Sequence, residues 1–187
     1  MSEEAIVIGS SAGGLHALIG LLGKLPENYS IPLIIVQHRS KDERDLLEKI
    51  LSDKCKIKIG QAEEKEKIKK GNVYFAPPNY HLLIEKDFTF SLSNDPLINY
   101  ARPSIDFLFQ TAANAYKDKL TGIVLTGANR DGSNGIMKIK ENGGVTIVQN
   151  PDTSEFNTMP MEAVATGCAD FVMDLDEISE YLIKKGS

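Results

Sequence analysis

Ile6-Val7-Ile8-Gly9-Ser10-Ser11-Ala12-Gly13-Gly14 is the stretch that decides how the chain reads. A β-branched run ends in a glycine-rich turn, and apolar residues at Leu15, Leu18, Ile19 and Leu22 follow with helical spacing. The reading is strand, tight turn, helix. Gly9, Ser11 and Gly13 spell G-x-S-x-G, the form of a nucleophile elbow, whose serine is left at the carboxyl end of a strand. The glycines let the backbone turn sharply and a substrate come close. The N–H groups of the turn, Ala12 and Gly13 among them, face the start of a helix, where a developing oxyanion is stabilised. A glycine-rich first turn is also how a dinucleotide-binding fold cradles a pyrophosphate. The turn by itself leaves both readings open.

Working outward, residues 31–37 are mostly apolar, as a strand buried on both faces of a parallel sheet should be. With the first strand and a helix over 13–24 they make a right-handed βαβ unit. This second strand ends in Gln37-His38, where a dinucleotide-binding fold usually carries an acidic residue for the ribose. That weighs against a nicotinamide cofactor. Further strands are expected at 55–59, 73–76, 122–126, 145–149 and 170–173. Further helices are expected at 43–52, after Arg102-Pro103-Ser104, at 133–142 with Gly143-Gly144 as its cap, and just before Gly167. Asp174 and Glu177 have capping-box spacing at the start of a terminal helix. Residues 81–85 and 88–92 read as a hairpin around Lys86-Asp87, and this piece, with 73–76, is expected to be antiparallel at one edge of the sheet. The fold class is α/β: a doubly wound, mostly parallel sheet with helices on both faces and an antiparallel edge hairpin, in a single domain over residues 1–187.

Composition narrows the function. The chain has 187 residues, 42% hydrophobic and 25% charged, enough for a sizeable core. A formal charge of −5 and the absence of tryptophan argue against nucleic-acid binding. Cys55 and Cys168 form no metal-ligand pattern, so no metal is expected. Met1-Ser2-Glu3-Glu4 is not a signal peptide, and no apolar run is long enough for a bilayer. A cytoplasmic protein without membrane insertion is the expectation. The mixed charges of 63–70 read as a solvated surface.

Three residues fall in turns that follow inferred parallel strands: Ser11, His38 and Asp131. The carboxyl edge of such a sheet is where ligands bind, above all where the strand order reverses. If the first strand lies between the second and the 122–126 strand, the three turns converge. The residue types suit one another. Serine needs a base to take its proton, a neutral imidazole does that near pH 7, and a carboxylate on the other ring nitrogen holds the productive tautomer. The chain order Ser, His, Asp is not that of the α/β-hydrolases. His16, in the first helix, and His81, in the hairpin, are weaker candidates.

With these residues in place the chain resembles the catalytic domain of the chemotaxis protein-glutamate methylesterases, the CheB family. The matching stretches are Ile8 to Gly14, Val36-Gln37-His38, Ala76-Pro77, Arg102-Pro103-Ser104-Ile105-Asp106, Leu125 to Gly132, Gln149-Asn150 and Met159-Pro160. The resemblance implies hydrolysis of glutamyl γ-methyl esters on a methyl-accepting chemoreceptor, with glutamine deamidation in some members, and no cofactor. It implies Ser11 as nucleophile, His38 as base and Asp131 as its orienting acid. The Ala128 loop would help the Ala12–Gly14 turn hold the oxyanion. Arg39, with Arg102 and Arg130, would meet acidic residues flanking the ester. The chain departs from the family at Ala12, Arg39-Ser40, Ala128-Asn129 and Met161. The family's receiver domain has no counterpart before the first strand, so an open site or a regulator acting in trans is expected. Two other readings stand beside this one: a non-catalytic binding module on the same fold, and a nucleotide-binding α/β protein.

Overall fold

The computed structural model describes residues 4–40, 42 and 45–186. Seven strands form one parallel sheet. In chain order these are β1 (Ala5–Ser10), β2 (Leu33–Gln37), β3 (Lys58–Gln61), β4 (Asn72–Phe75), β7 (Leu120–Val124), β8 (Val145–Gln149) and β9 (Phe171–Met173). The missing numbers, β5 (His81–Ile84) and β6 (Phe90–Ser93), pair antiparallel as a separate two-stranded sheet. The order across the large sheet is β3-β4-β2-β1-β7-β8-β9. The chain builds one half of the sheet from β1, with β4 inserted between β2 and the edge strand β3, and from β7 it builds the other half, so the switch point lies between β1 and β7.

Strand β1 is buried from Ala5 to Ser10 because both faces are covered. Successive residues serve opposite cores. Ile6 and Ile8 join Leu33 and Ile35 beneath α1 (Gly14–Leu22), α2 (Leu46–Lys54) and α6 (Leu175–Gly186). Val7 joins Ile34 and Val36 beneath α3 (Ile105–Tyr116), α4 (Ser133–Glu141), α5 (Thr158–Ala165) and the β5–β6 hairpin. This alternation is the two-residue period of a strand read by two hydrophobic layers.

Two expectations need correction. The 73–76 segment is not an antiparallel edge piece: β4 runs parallel between β3 and β2. The hairpin does not extend the sheet edge either. It lies over the α3 face, where Leu82, Ile84 and Phe90 are buried against α3 and β4. Alternating apolar residues fix that a strand has one buried face, but not which neighbour it pairs with. The expected 55–59 strand is displaced to Lys58–Gln61, and the expected 122–126 strand begins at Leu120. The 43–52 helix is seen from Leu46, and its expected start at Glu43 lies outside the described residues. At α6 one half of the capping box forms, with the Asp174 N–H donating to Glu177 Oε2 at 2.8 Å, while the Asp174 carboxylate accepts from Asn150 Nδ2 and the Thr153 hydroxyl.

One close approach brings the α3 face to the site. A Cβ on Gly9 would lie 2.3 Å from Ile105 Cγ2. The first glycine of the G-x-S-x-G string therefore lets the start of α3 settle directly on the end of β1.

Candidate active site

Parallel pairing carries the backbone past the named strand ends. Leu125 N–H donates to Gly9 O at 2.9 Å, His38 N–H to Ser10 O at 2.9 Å and Ser11 N–H to Thr126 O at 3.0 Å. Ser11 and His38 thus stand side by side at the carboxyl edge, with the β7–α4 loop across from them. Gln37 braces this edge. Its amide donates to Ser11 O at 2.9 Å and to His38 O at 2.8 Å, while its Oε1 accepts from the buried Ser10 hydroxyl at 2.6 Å.

The elbow turn needs a glycine at position 13, where φ is +77°. Gly14 N–H closes the turn on Ser11 O at 2.8 Å, and Thr126 Oγ1 holds Ala12 O at 2.9 Å. So the N–H groups of Ser11 and Gly14 are already engaged. Those of Ala12 and Gly13 have no acceptor among the described residues, and α1 opens directly behind them. Ala128 is exposed in the loop after β7.

His38 and Asp131 meet. Nε2 lies 2.8 Å from Asp131 Oδ2, with the carboxylate fully buried. Asp131 is held by the first turn of α3: it accepts from Ile105 N–H at 2.7 Å, Asp106 N–H at 3.0 Å and the Ser104 hydroxyl at 3.1 Å. A helix N-terminus is a natural seat for a carboxylate. Burial pushes this carboxyl up, but the His38 hydrogen bond and charge, with the Asp106 and Ile105 N–H groups, outweigh it and hold Asp131 below the usual carboxylate range.

The arrangement is reciprocal. Asp106, from the first turn of α3, accepts from Gly132 N–H at 2.9 Å and Gly135 N–H at 2.7 Å at the start of α4. Each helix is capped by the carboxylate of the other's end. For Asp106, burial and then the charge of Asp131 dominate and push its carboxyl up. Asn99 joins the pair, donating to Asp106 Oδ2 at 2.9 Å and lying 3.5 Å from Asp131 Oδ1. His81 supports the same helix start, accepting from Ser104 N–H at 3.1 Å on Nδ1 and donating from Nε2 to Pro96 O at 3.0 Å. It is buried and structural.

With Ser11, His38 and Asp131 placed at one sheet edge, the comparison with known proteins is decisive. A family model described as CheB methylesterase matches residues 6–182. The chain belongs to the CheB methylesterase family. A protein of Leptospira interrogans named as a putative protein-glutamate methylesterase/protein-glutamine glutaminase is 53% identical over 184 residues, 98% of this chain and 95% of that one. A Clostridium acetobutylicum protein-glutamate methylesterase/protein-glutamine glutaminase is 37% identical over 98% of this chain but only 53% of its own length. The crystal structure of the Thermotoga maritima CheB methylesterase catalytic domain superposes with a TM-score of 0.94 at 34% identity, covering 99% of this chain and 100% of that one.

Within this CheB fold two of the three candidate arginines are already engaged by the protein itself. Arg39 is turned inward: its guanidinium makes a two-pronged ion pair with Glu48 at 2.9 and 2.7 Å and donates to Ala76 O at 2.9 Å. Its side chain is 3% exposed. The expectation that Arg39 meets acidic residues of a partner is corrected, because that charge is already matched inside the fold. Arg102 is likewise committed, donating to Asn79 Oδ1 and to the carbonyls of Asn94 and Asp95. Arg130 is exposed beside α4. His16 is at the surface, 3.5 Å from Glu155.

Sequence reasoning missed Gln37, Asn99, Asp106 and Asn129 as parts of the site. Asn129 Oδ1 accepts from Asp131 N–H at 2.9 Å, and its Nδ2 lies 3.3 Å from His38 Nδ1. Two depressions, of about 210 and 340 Å³, open on either side of His38. The smaller has an apolar wall of Leu15, Leu46 and Leu47.

Proposed function

We propose that the protein is a serine esterase that hydrolyses glutamyl γ-methyl esters on chemoreceptors, releasing methanol, with Ser11 as nucleophile, His38 as base and Asp131 as the acid that orients it. The observation that carries this is the His38–Asp131 bond. An ionised carboxylate only accepts, so the ring proton belongs on Nε2 and the basic lone pair on Nδ1, in a histidine whose backbone N–H pairs with Ser10 O next to Ser11.

The steps follow. Ser11 Oγ attacks the ester carbonyl as its proton passes to His38 Nδ1, and the Ala12 and Gly13 N–H groups receive the oxyanion. The carbon–oxygen bond breaks, methoxide takes the proton from Nδ1 and leaves as methanol. Water then repeats the attack on the acyl-enzyme. The apolar wall at Leu15, Leu46 and Leu47 suits apolar residues beside the esterified glutamate. The glycine turn does not suit a nucleotide: Glu155 Oε2 stands 3.0 Å from where a Gly13 Cβ would be, a carboxylate in the place of a pyrophosphate.

Methanol release from a methylated chemoreceptor cytoplasmic fragment tests the reading. Wild type should release methanol and Ser11→Ala should not. Equal release by the two proteins would overturn it.

A further inference from the structure

The most informative group that this scheme leaves unused is the Asn129 side chain. Its two ends are distinguishable. Oδ1 accepts the Asp131 N–H at 2.9 Å, which fixes the amide so that Nδ2, a donor only, is the end turned to His38 Nδ1 at 3.3 Å. No hydrogen bond joins Ser11 Oγ to His38 among the described residues; in the resting site the base nitrogen is met by Asn129 instead. Resting on the esterase reading, we propose that Asn129 is a catalytic residue that selects the leaving group, favouring an ester oxygen over an amide nitrogen.

The argument is a count of lone pairs. Nδ1 is the nitrogen that takes the proton from Ser11 and returns it to the departing group, so that group must come within hydrogen-bond distance of Nδ1. An Nδ2 only 3.3 Å from Nδ1 then lies within reach of the same atom. Once protonated, Nδ1 is a donor, and Asn129 has to find an acceptor elsewhere. A departing methoxy oxygen in the tetrahedral intermediate has two lone pairs. One takes the proton from Nδ1 as the carbon–oxygen bond breaks with its electron pair going to oxygen, and the other accepts from Asn129. A departing amino group in the same intermediate has one lone pair, which Nδ1–H uses, and two N–H groups. One of those meets the Asn129 N–H, donor against donor. A site built to donate to an oxygen rejects the isostere that cannot accept.

The charged groups around His38 do not mask this. Asp131 is on Nε2 and Asp106 lies behind it. The Arg39–Glu48 pair and Arg102 border the depressions and are matched by their own partners. Among the described residues the hydrogen-bonding neighbour of Nδ1 is the Asn129 amide.

The test compares methanol and ammonia release from a chemoreceptor cytoplasmic fragment carrying either a glutamyl methyl ester or glutamine at one position. Wild type, Ser11→Ala, Asn129→Ala and Asn129→Asp are assayed together. Loss of both products in Ser11→Ala checks the esterase reading, and an unaltered Ser11→Ala overturns that reading and this inference with it. Given serine-dependent turnover, the methanol-to-ammonia ratio should fall in the order wild type, Asn129→Ala, Asn129→Asp, with a drop of roughly tenfold or more at Asp, which accepts where Asn donates. Asp also keeps an oxygen for the Asp131 N–H, so that order does not come from a disturbed loop. A ratio within about twofold of wild type in both variants, whatever their absolute rates, would overturn the inference while leaving the esterase intact.

Discussion

The two nitrogens of the His38 ring sit in opposite surroundings. At Nε2 everything is fixed: Asp131 is fully buried and held by Ile105, Asp106 and Ser104 at the start of α3. At Nδ1 the surroundings are open: one side-chain amide at 3.3 Å, a half-buried Ser11 and two depressions that lead to solvent. On the proposed mechanism the difference follows from the work each end does. The orienting acid would keep one partner throughout the cycle, and its carboxylate is filled by the Ser104 hydroxyl and two backbone N–H groups of the helix start beside the imidazole. The base nitrogen would give up and regain a proton and meet serine, leaving group and water in turn. A fully satisfied Nδ1 would be inert.

The comparison can be broken most severely at the open end. Ser11→Ala or His38→Ala should lower turnover by several orders of magnitude, up to about 10⁶; melting temperature should change little for Ser11→Ala and fall for His38→Ala, which leaves the buried Asp131 without its imidazole partner. Steady-state methanol release beside a thermal melt checks both halves.

Asp131→Asn acts at the fixed end and should cost about 10⁴ in rate. It should also cost stability, because one of the donors on Oδ2 would meet an N–H. Its pH signature has a definite sign. A carboxylate held below its usual range adds stability that is present above about pH 4 and is lost as pH falls through the lowered native value. The wild-type advantage over Asp131→Asn should therefore shrink on acidification, as chemical denaturation across pH would show.

Arg39→Ala sharpens the comparison from outside the site. It leaves Glu48 buried and unmatched, so a loss of about 3–5 kcal/mol is expected in a denaturant melt. At a temperature where the variant remains folded, KM for the receptor fragment should be unchanged; a large rise in KM would restore Arg39 to substrate binding.

The smallest effect is expected at Asp106. Its carboxyl is pushed up, so it favours the folded state at low pH and loses that favour as pH rises through its native value. Asp106→Asn removes this term, and the stability of the variant should rise more steeply with pH than that of wild type across the mildly acidic range.

Much of the frame was legible in the chain. The β-branched run before Gly9, the apolar 31–37 stretch and the turn at Gly127 to Gly132 place Ser11, His38 and Asp131 at strand ends, and the reversal of strand order between β1 and β7 brings those ends together. Local pattern carries that information because a strand buried on both faces has no polar alternative. What stayed hidden depends on contacts distant in sequence. Nothing near Asp131 announces that its carboxylate sits on a helix beginning 26 residues earlier. Arg39 reads as a surface cation because an arginine is usually one; only the folded position of Glu48 turns it inward. Asn129 carried no signal beyond its place in the loop, since an amide gains a direction only when one end is pinned.

The exchange of caps between α3 and α4 has a consequence for how the protein loosens. If the first turn of α3 frays, Asp131 loses its donors and Asp106 leaves the start of α4; if α4 frays, the same two carboxylates are set adrift from the other side. The two helix ends thus open as one cooperative unit, and the partner of His38 belongs to that unit. Partial melting and loss of the base's anchor are a single event, so a warmed sample holds molecules that are either whole or silent, with few working at a reduced pace.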